Sequence, residues 1–149
     1  MALAAALCAS LTGVAVAATP AITQVITSRQ SNLKDMGGSF KVINDQLKKD
    51  SPNMSEVRTA ANDVKQFSND LAKWFPKGSG PEAGVKTRAK ADIWAKNKDF
   101  VSAAQKFQVE AGKLAAAAAG SDIDALKAQA KATGATCGGC HDPFREKQS

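Results

Sequence analysis

Four segments of this chain place apolar residues at alternating spacings of three and four, the period of an amphipathic helix. The first spans about 21–49, with a stripe of Ile22, Val25 or Ile26, Arg29, Leu33, Met36, Phe40, Ile43 and Leu47. The second runs from Met54 to Phe75, with Val57, Ala61, Val64, Phe67, Leu71 and Trp74. The third covers Ile93 to Ala119 through Phe100, Ala104, Phe107, Ala111 and Leu114. The fourth covers Asp122 to Lys147 through Ile123, Leu126, Ala130, Thr133, Cys137, Cys140 and Phe144. Asn53 followed by Glu56 resembles a capping box, and Gly120-Ser121 reads as a stop and a cap. Tyr is absent and no run of β-branched residues alternates, which argues against strands. A chain of 149 residues, 44% hydrophobic, suffices for one domain with its own core.

The connections set the topology. The first and third are short, which favours antiparallel neighbours. The second, from Pro76 to about Asp92, is rich in Gly, Pro and Lys, and a loop of that length is uncommon without a purpose. The expected fold is all-α, an antiparallel up-down-up-down four-helix bundle. Its topology gathers Arg29, Leu33, Trp74, Phe75, Trp94 and His141 at one end. Met54 falls at the other end, about 30 Å away at the helical rise, too far to meet His141.

That first end carries the chemistry. Cys137-Gly138-Gly139-Cys140-His141 is the C-x-x-C-H pattern of covalent c-type haem attachment. Two thiols form thioethers with the haem vinyl groups, and the adjacent imidazole becomes the axial iron ligand. A structural zinc site needs four ligands, and no second Cys pair accompanies this one. A redox dithiol sits at a helix N-terminus beside a strand, whereas this motif lies late in a helix. Gly138 and Gly139 each weaken a helix by about 1 kcal/mol relative to Ala, and their lack of side chains lets backbone lie close to a porphyrin. Arg29, charged on an apolar stripe, either pairs with a haem propionate or snorkels to the surface. Trp74 and Trp94 are core residues or pack on the haem edge. Met36 is core packing or an iron ligand.

Residues 1–18 are apolar, small and uncharged, and end in Ala17-Ala18 before Thr19-Pro20, which reads as a cleaved export signal. Cys8 lies inside it, so the mature chain keeps two cysteines, both in the motif. The expected compartment is the periplasm, where c-type haem is attached, with no membrane association of the mature protein. The net charge of +6 reads mainly as a solvated surface with a weak preference for acidic redox partner proteins. Lys and Arg are scattered and not interleaved with aromatics, so no nucleic-acid site is expected.

The residues also carry a resemblance. The chain resembles the class II c-type cytochromes, the cytochrome c′ family, over nearly all of residues 19–149. The resemblance rests on Arg29-Gln30-Ser31-Asn32-Leu33, Met36-Gly37-Gly38-Ser39-Phe40, Phe75-Pro76-Lys77-Gly78-Ser79-Gly80, Thr87-Arg88-Ala89-Lys90 with Ile93-Trp94, and Cys137 to Arg145. It implies a bundle with one covalently bound haem c, often a homodimer through its first two helices. It implies that Arg29 and Gln30 contact the propionate region, with Arg88 a loop candidate. It places Leu33 over the distal iron face, where low-spin relatives have a methionine. It places Arg145 near the proximal face, where the family can admit nitric oxide. Phe144 stands where many relatives have tyrosine.

The function expected from the residues and the resemblance together is a periplasmic monohaem cytochrome. It would transfer electrons and bind small gases (nitric oxide, carbon monoxide) at five-coordinate, high-spin iron. The alternative is a low-spin electron carrier with Met36 as sixth ligand. Enzymatic peroxide chemistry is not expected, because it needs a distal acid-base group and the only histidine is committed to iron.

Overall fold

The computed structural model describes residues 20–147. The segment read as an export signal, with Cys8, lies outside them. The helices are α1 (Pro20–Gln46), α2 (Met54–Asp70), the single turn α3 (Asp92–Ala95), α4 (Asn97–Ala119) and α5 (Ile123–Phe144). α1 packs on α2, α2 on α4 and α4 on α5. The register runs antiparallel. Ser39 meets Asp63 while Gln46 meets Glu56 across α1 and α2, and Glu110 bonds Gln129 and Thr133 across α4 and α5. The long helices therefore form the expected four-helix bundle.

The turn between α1 and α2 is closed by a polar knot. Asn53 caps α2 by accepting from the backbone N–H of Ser55 (3.1 Å) and Glu56 (3.3 Å). The reciprocal half of the expected capping box is taken over by Gln46, whose side-chain oxygen accepts from Asn53 N–H at 3.0 Å. At the other turn, Asp122 and not Ser121 is the cap, accepting from Ala125 N–H at 2.9 Å. Above these turns Ile43, Val57, Ala61, Val64, Ala111, Leu114, Ala118 and Leu126 are completely enclosed. This is the stripe the periodicity predicts, and its burial is the main driving force for the bundle.

Besides the end of α1, which comes at Gln46 and not near residue 49, three boundaries differ from the periodic reading. α2 stops at Asp70 and tightens into a 3₁₀ turn, Leu71–Trp74, because Phe75 precedes Pro76 and is pushed out of helical geometry (φ −119°, ψ 58°). The third segment breaks at Lys96 (φ −114°, ψ 44°), which separates α3 from α4. α5 ends at Phe144 because Arg145 turns extended (φ −123°, ψ 133°) and pairs with Ala89. Residues 89 and 144 then join Ile93 and Phe100 in a second, smaller core. Its rings meet edge-on, Phe75 to Phe100 at 4.9 Å and Phe100 to Phe144 at 5.4 Å between centroids, a favoured arrangement for aromatic quadrupoles.

Candidate functional site

The long connection, residues 76–91, is a strap tied to both flanking helices. On the α1 side, buried Arg29 donates from Nη1 to Ser79 Oγ (2.9 Å) and from Nη2 to Ser79 O (3.0 Å) and Thr87 Oγ1 (3.1 Å). Its guanidinium also lies 4.5 Å from the centre of the Phe75 ring, within cation–π range. Burial pushes the Arg29 pKa down, and the charge of Glu82 pushes it back up. Neighbouring Gln30 is exposed and donates to Lys86 O at 2.8 Å. Trp94 Nε1–H donates to the carbonyls of Phe75 (3.1 Å) and Pro76 (3.0 Å). A side chain at Gly80 would come within 2.8 Å of the Trp94 ring, so glycine is what lets the strap close over the indole.

On the α5 side, the strap pairs with the chain that follows the motif. Lys90 N–H donates to Phe144 O (3.0 Å), and Glu146 N–H donates to Arg88 O (2.8 Å). Arg88 then donates from Nε (3.0 Å) and Nη2 (2.6 Å) to Glu146 O. The strap therefore bridges α1 to the last turn of α5 and walls one end of the bundle.

Within that wall sit Cys137, Cys140 and His141, spaced on one helix so that Cys137 and His141 share a face. Both thiols are free and partly buried. Cys137 packs against the main core and Cys140 against the second core. Burial raises both thiol pKa values, partly offset by the charge of Arg145, so both are protonated at neutral pH. Burial lowers the His141 pKa, and the charges of Arg145 and then Arg88 lower it further against the opposing pull of Asp142. The imidazole is thereby kept neutral, the form that binds a metal.

The opposite wall is apolar and incompletely covered. Leu33, Met36 and Phe40 on α1, with Ala72, Trp74 and Phe75, touch the main core but stay partly exposed. α1 and α5 do not pack closely along their lengths. They meet where a side chain at Gly134 would lie 3.5 Å from the Phe40 ring. Two thiols, one imidazole and partly exposed apolar side chains at the same end of the bundle make a donor set and surroundings that fit one haem.

Residues 24–145 match the family described as Cytochrome C′. A curated relative, cytochrome c′ of Rhodospirillum rubrum, is 36% identical over 135 residues, spanning 90% of this chain and 88% of its own. The chain belongs to the cytochrome c′ family. The crystal structure of cytochrome c′ from Thermochromatium tepidum superposes with a TM-score of 0.79 at 30% identity, covering 85% of this chain and 97% of that one. A nitric oxide complex of a leucine variant of cytochrome c′ from Alcaligenes xylosoxidans superposes at 0.75, with 28% identity over 85% of this chain and 97% of that one. Cytochromes c′ carry one covalently attached haem c, which is the cofactor of this chain.

The cytochrome c′ frame shows which expected site residues the fold assembles. Cys137, Cys140 and His141 on α5 share the strapped end with Arg29, Leu33 and Trp94. Gln30 and Arg88 serve the strap, one at each of its edges, and Arg145 lies beside His141. A side chain at Gly138 or Gly139 would meet no neighbour, so neither glycine is required by protein packing. Ser79 and Thr87 lie in the loop runs that carry the resemblance, but their role as acceptors for Arg29 was not read from the sequence. The available signal was a serine between two glycines opposite a charged residue on an apolar stripe.

Proposed function

We propose that this cytochrome c′ holds its haem through thioethers to Cys137 and Cys140 with His141 as axial ligand. In this reading it works in the periplasm, passes single electrons, and binds nitric oxide or carbon monoxide at five-coordinate iron. Haem held by these residues would supply a one-electron redox centre, and Leu33, with no lone pair, would offer the iron no further ligand. The observation that carries the reading is Leu33, a half-buried side chain without a lone pair, one turn beyond Arg29 on the face of α1 that touches the core. An apolar lining of Leu33 and Phe40 disfavours water and admits uncharged diatomics. The nitric oxide complexes of the relatives support it. Among the described residues no helix is long and apolar enough to cross a membrane. With its single histidine in the motif, the chain has no second imidazole for acid-base catalysis. A homodimer through α1 and α2 belongs to the same reading, since Gly37, Gly38 and Val42 leave α1 with an exposed, low-relief face.

The test is the visible spectrum of the dithionite-reduced protein before and after carbon monoxide. A broad high-spin spectrum that shifts with carbon monoxide is expected. A sharp spectrum with no response sinks the gas-binding reading and favours the second one, in which Met36 is the sixth ligand. Met36 earns that place by lying on the same partly exposed stripe as Leu33. Met36→Leu would then abolish the low-spin spectrum.

A further inference from the structure

The part of α5 that bears His141 is its weakest stretch. Gly138 and Gly139 lower helix propensity there. Pro143, inside the last turn, has no N–H to give to the carbonyl of Gly139, and its ring crowds that carbonyl. The helix alone therefore holds this turn loosely. What holds it from outside is the strap. Lys90 bonds Phe144 O, the backbone of Arg88 bonds Glu146 N–H, and Ala89 bridges Arg145. Among the described residues only Arg88 adds a side chain to this pairing with the tail, apart from a 3.3 Å contact of Lys90 Nζ with Asp142 O. The planar guanidinium directs two N–H groups at the single carbonyl of Glu146.

We propose that Arg88 is a positioning residue for the proximal side, gripping Glu146 so that Arg145 stays beside the axial imidazole. This differs from the propionate contact that resemblance implies for Arg88, because both of its side-chain bonds go to the tail. The inference rests on His141 being the axial ligand. Arg145 N–H donates to His141 O at 2.9 Å, and the next residue, Glu146, is the one that Arg88 grips. Without Arg88 the tail would fray from residue 145 onward, and the imidazole would lose a fixed neighbour.

The experiment compares haem-loaded wild type, Arg88→Ala, Arg145→Ala and the double variant in the ferrous state. Resonance Raman reads the iron–histidine stretching band, and amide exchange reads residues 144–147. The expected result is a band shift in Arg88→Ala of the same sign as in Arg145→Ala, with exchange at Arg145 and Glu146 about tenfold faster. The double variant should shift no further than Arg145→Ala alone, because one residue acts through the other. A band unmoved by Arg88→Ala overturns the inference. So does a double variant whose shift is the sum of the two, since Arg88 would then act by its own charge. If Arg88→Ala does not load haem, Arg88→Lys, which keeps the charge but loses the fork, should show a smaller shift of the same sign. An unmoved band there overturns the inference equally. A wild-type protein with no histidine-ligated haem sinks the proposed function and this inference together; a normal band that ignores residue 88 sinks the inference alone.

Discussion

The two ends of the bundle are built on different terms. At the end bearing the α1–α2 and α4–α5 turns, Ile43, Val57, Leu114, Ala118 and Leu126 are fully enclosed by protein, and the turns carry their own caps. At the strapped end, Leu33, Met36, Phe40, Trp74, Phe75 and Cys137 touch the core yet remain partly exposed. Helix patterning is cleaner at the capped end, since the strapped end carries the 3₁₀ turn Leu71–Trp74, the break at Lys96 and Pro143 within α5. Both ends bury a core, the strapped end through Ile93, Phe100 and Phe144; the difference is that the strapped end also leaves Leu33, Trp74, Phe75 and Cys137 partly exposed in the neighbourhood of the motif. Stability of the fold and binding of the cofactor are therefore separable along the bundle axis.

The largest expected effect tests that separation directly. Replacing both Cys137 and Cys140 by alanine should abolish haem that survives acid-acetone extraction. Amide exchange should then quicken around Leu33 to Phe40 while the enclosed end keeps its protection. Uniform loss of protection would break the comparison. Next, Leu126→Ala should destabilise the protein by about 2–5 kcal/mol in denaturant melts, with or without haem, because it opens a cavity in a sealed core. Met36→Ala in the haem-free protein should cost less than half as much, since that side chain is already partly in water. Arg29→Met should cost about 1–2 kcal/mol by removing the donors to Ser79 O, Ser79 Oγ and Thr87 Oγ1, offset by relief of a buried charge and by the bonds that Ser79 Oγ keeps to Pro76 O and Thr87 Oγ1 keeps to Ala89 N–H. Limited proteolysis should then cut within residues 76–91 and nowhere in α2 or α4. The smallest effect sits at the capped turn, where Asn53→Ala should cost about 1 kcal/mol in thermal melts without altering haem attachment.

The sequence made the four long helices legible because their apolar stripes repeat over several turns, and the motif was legible because its spacing is a chemical requirement. The strap was not. Ser79 is completely buried, yet a serine between glycines in a Pro-rich stretch has the composition of a solvated loop. Its burial follows from the guanidinium of Arg29, fifty residues away in sequence. Arg29 stood out as a misplaced charge, and only the fold supplied the oxygens it meets. The end of α5 was overrun for a similar reason. Glu146 and Lys147 suit a helix, but pairing of Arg145 with Ala89 claims that backbone for a different partner. Periodicity reports contacts made by neighbouring turns; it is silent about single polar contacts made across the molecule.

The aromatic inventory gives the strapped end a built-in lamp. The chain has two tryptophans and no tyrosine, and both lie there, Trp74 edge-on to Phe67 and Trp94 against Phe75. All intrinsic ultraviolet emission above that of phenylalanine therefore originates at the strapped end. Energy transfer to a bound haem would darken it, and nothing at the sealed end would contribute a background. Fluorescence intensity thus becomes a direct reading of cofactor loading, and its colour a reading of how wet the strapped end is without haem.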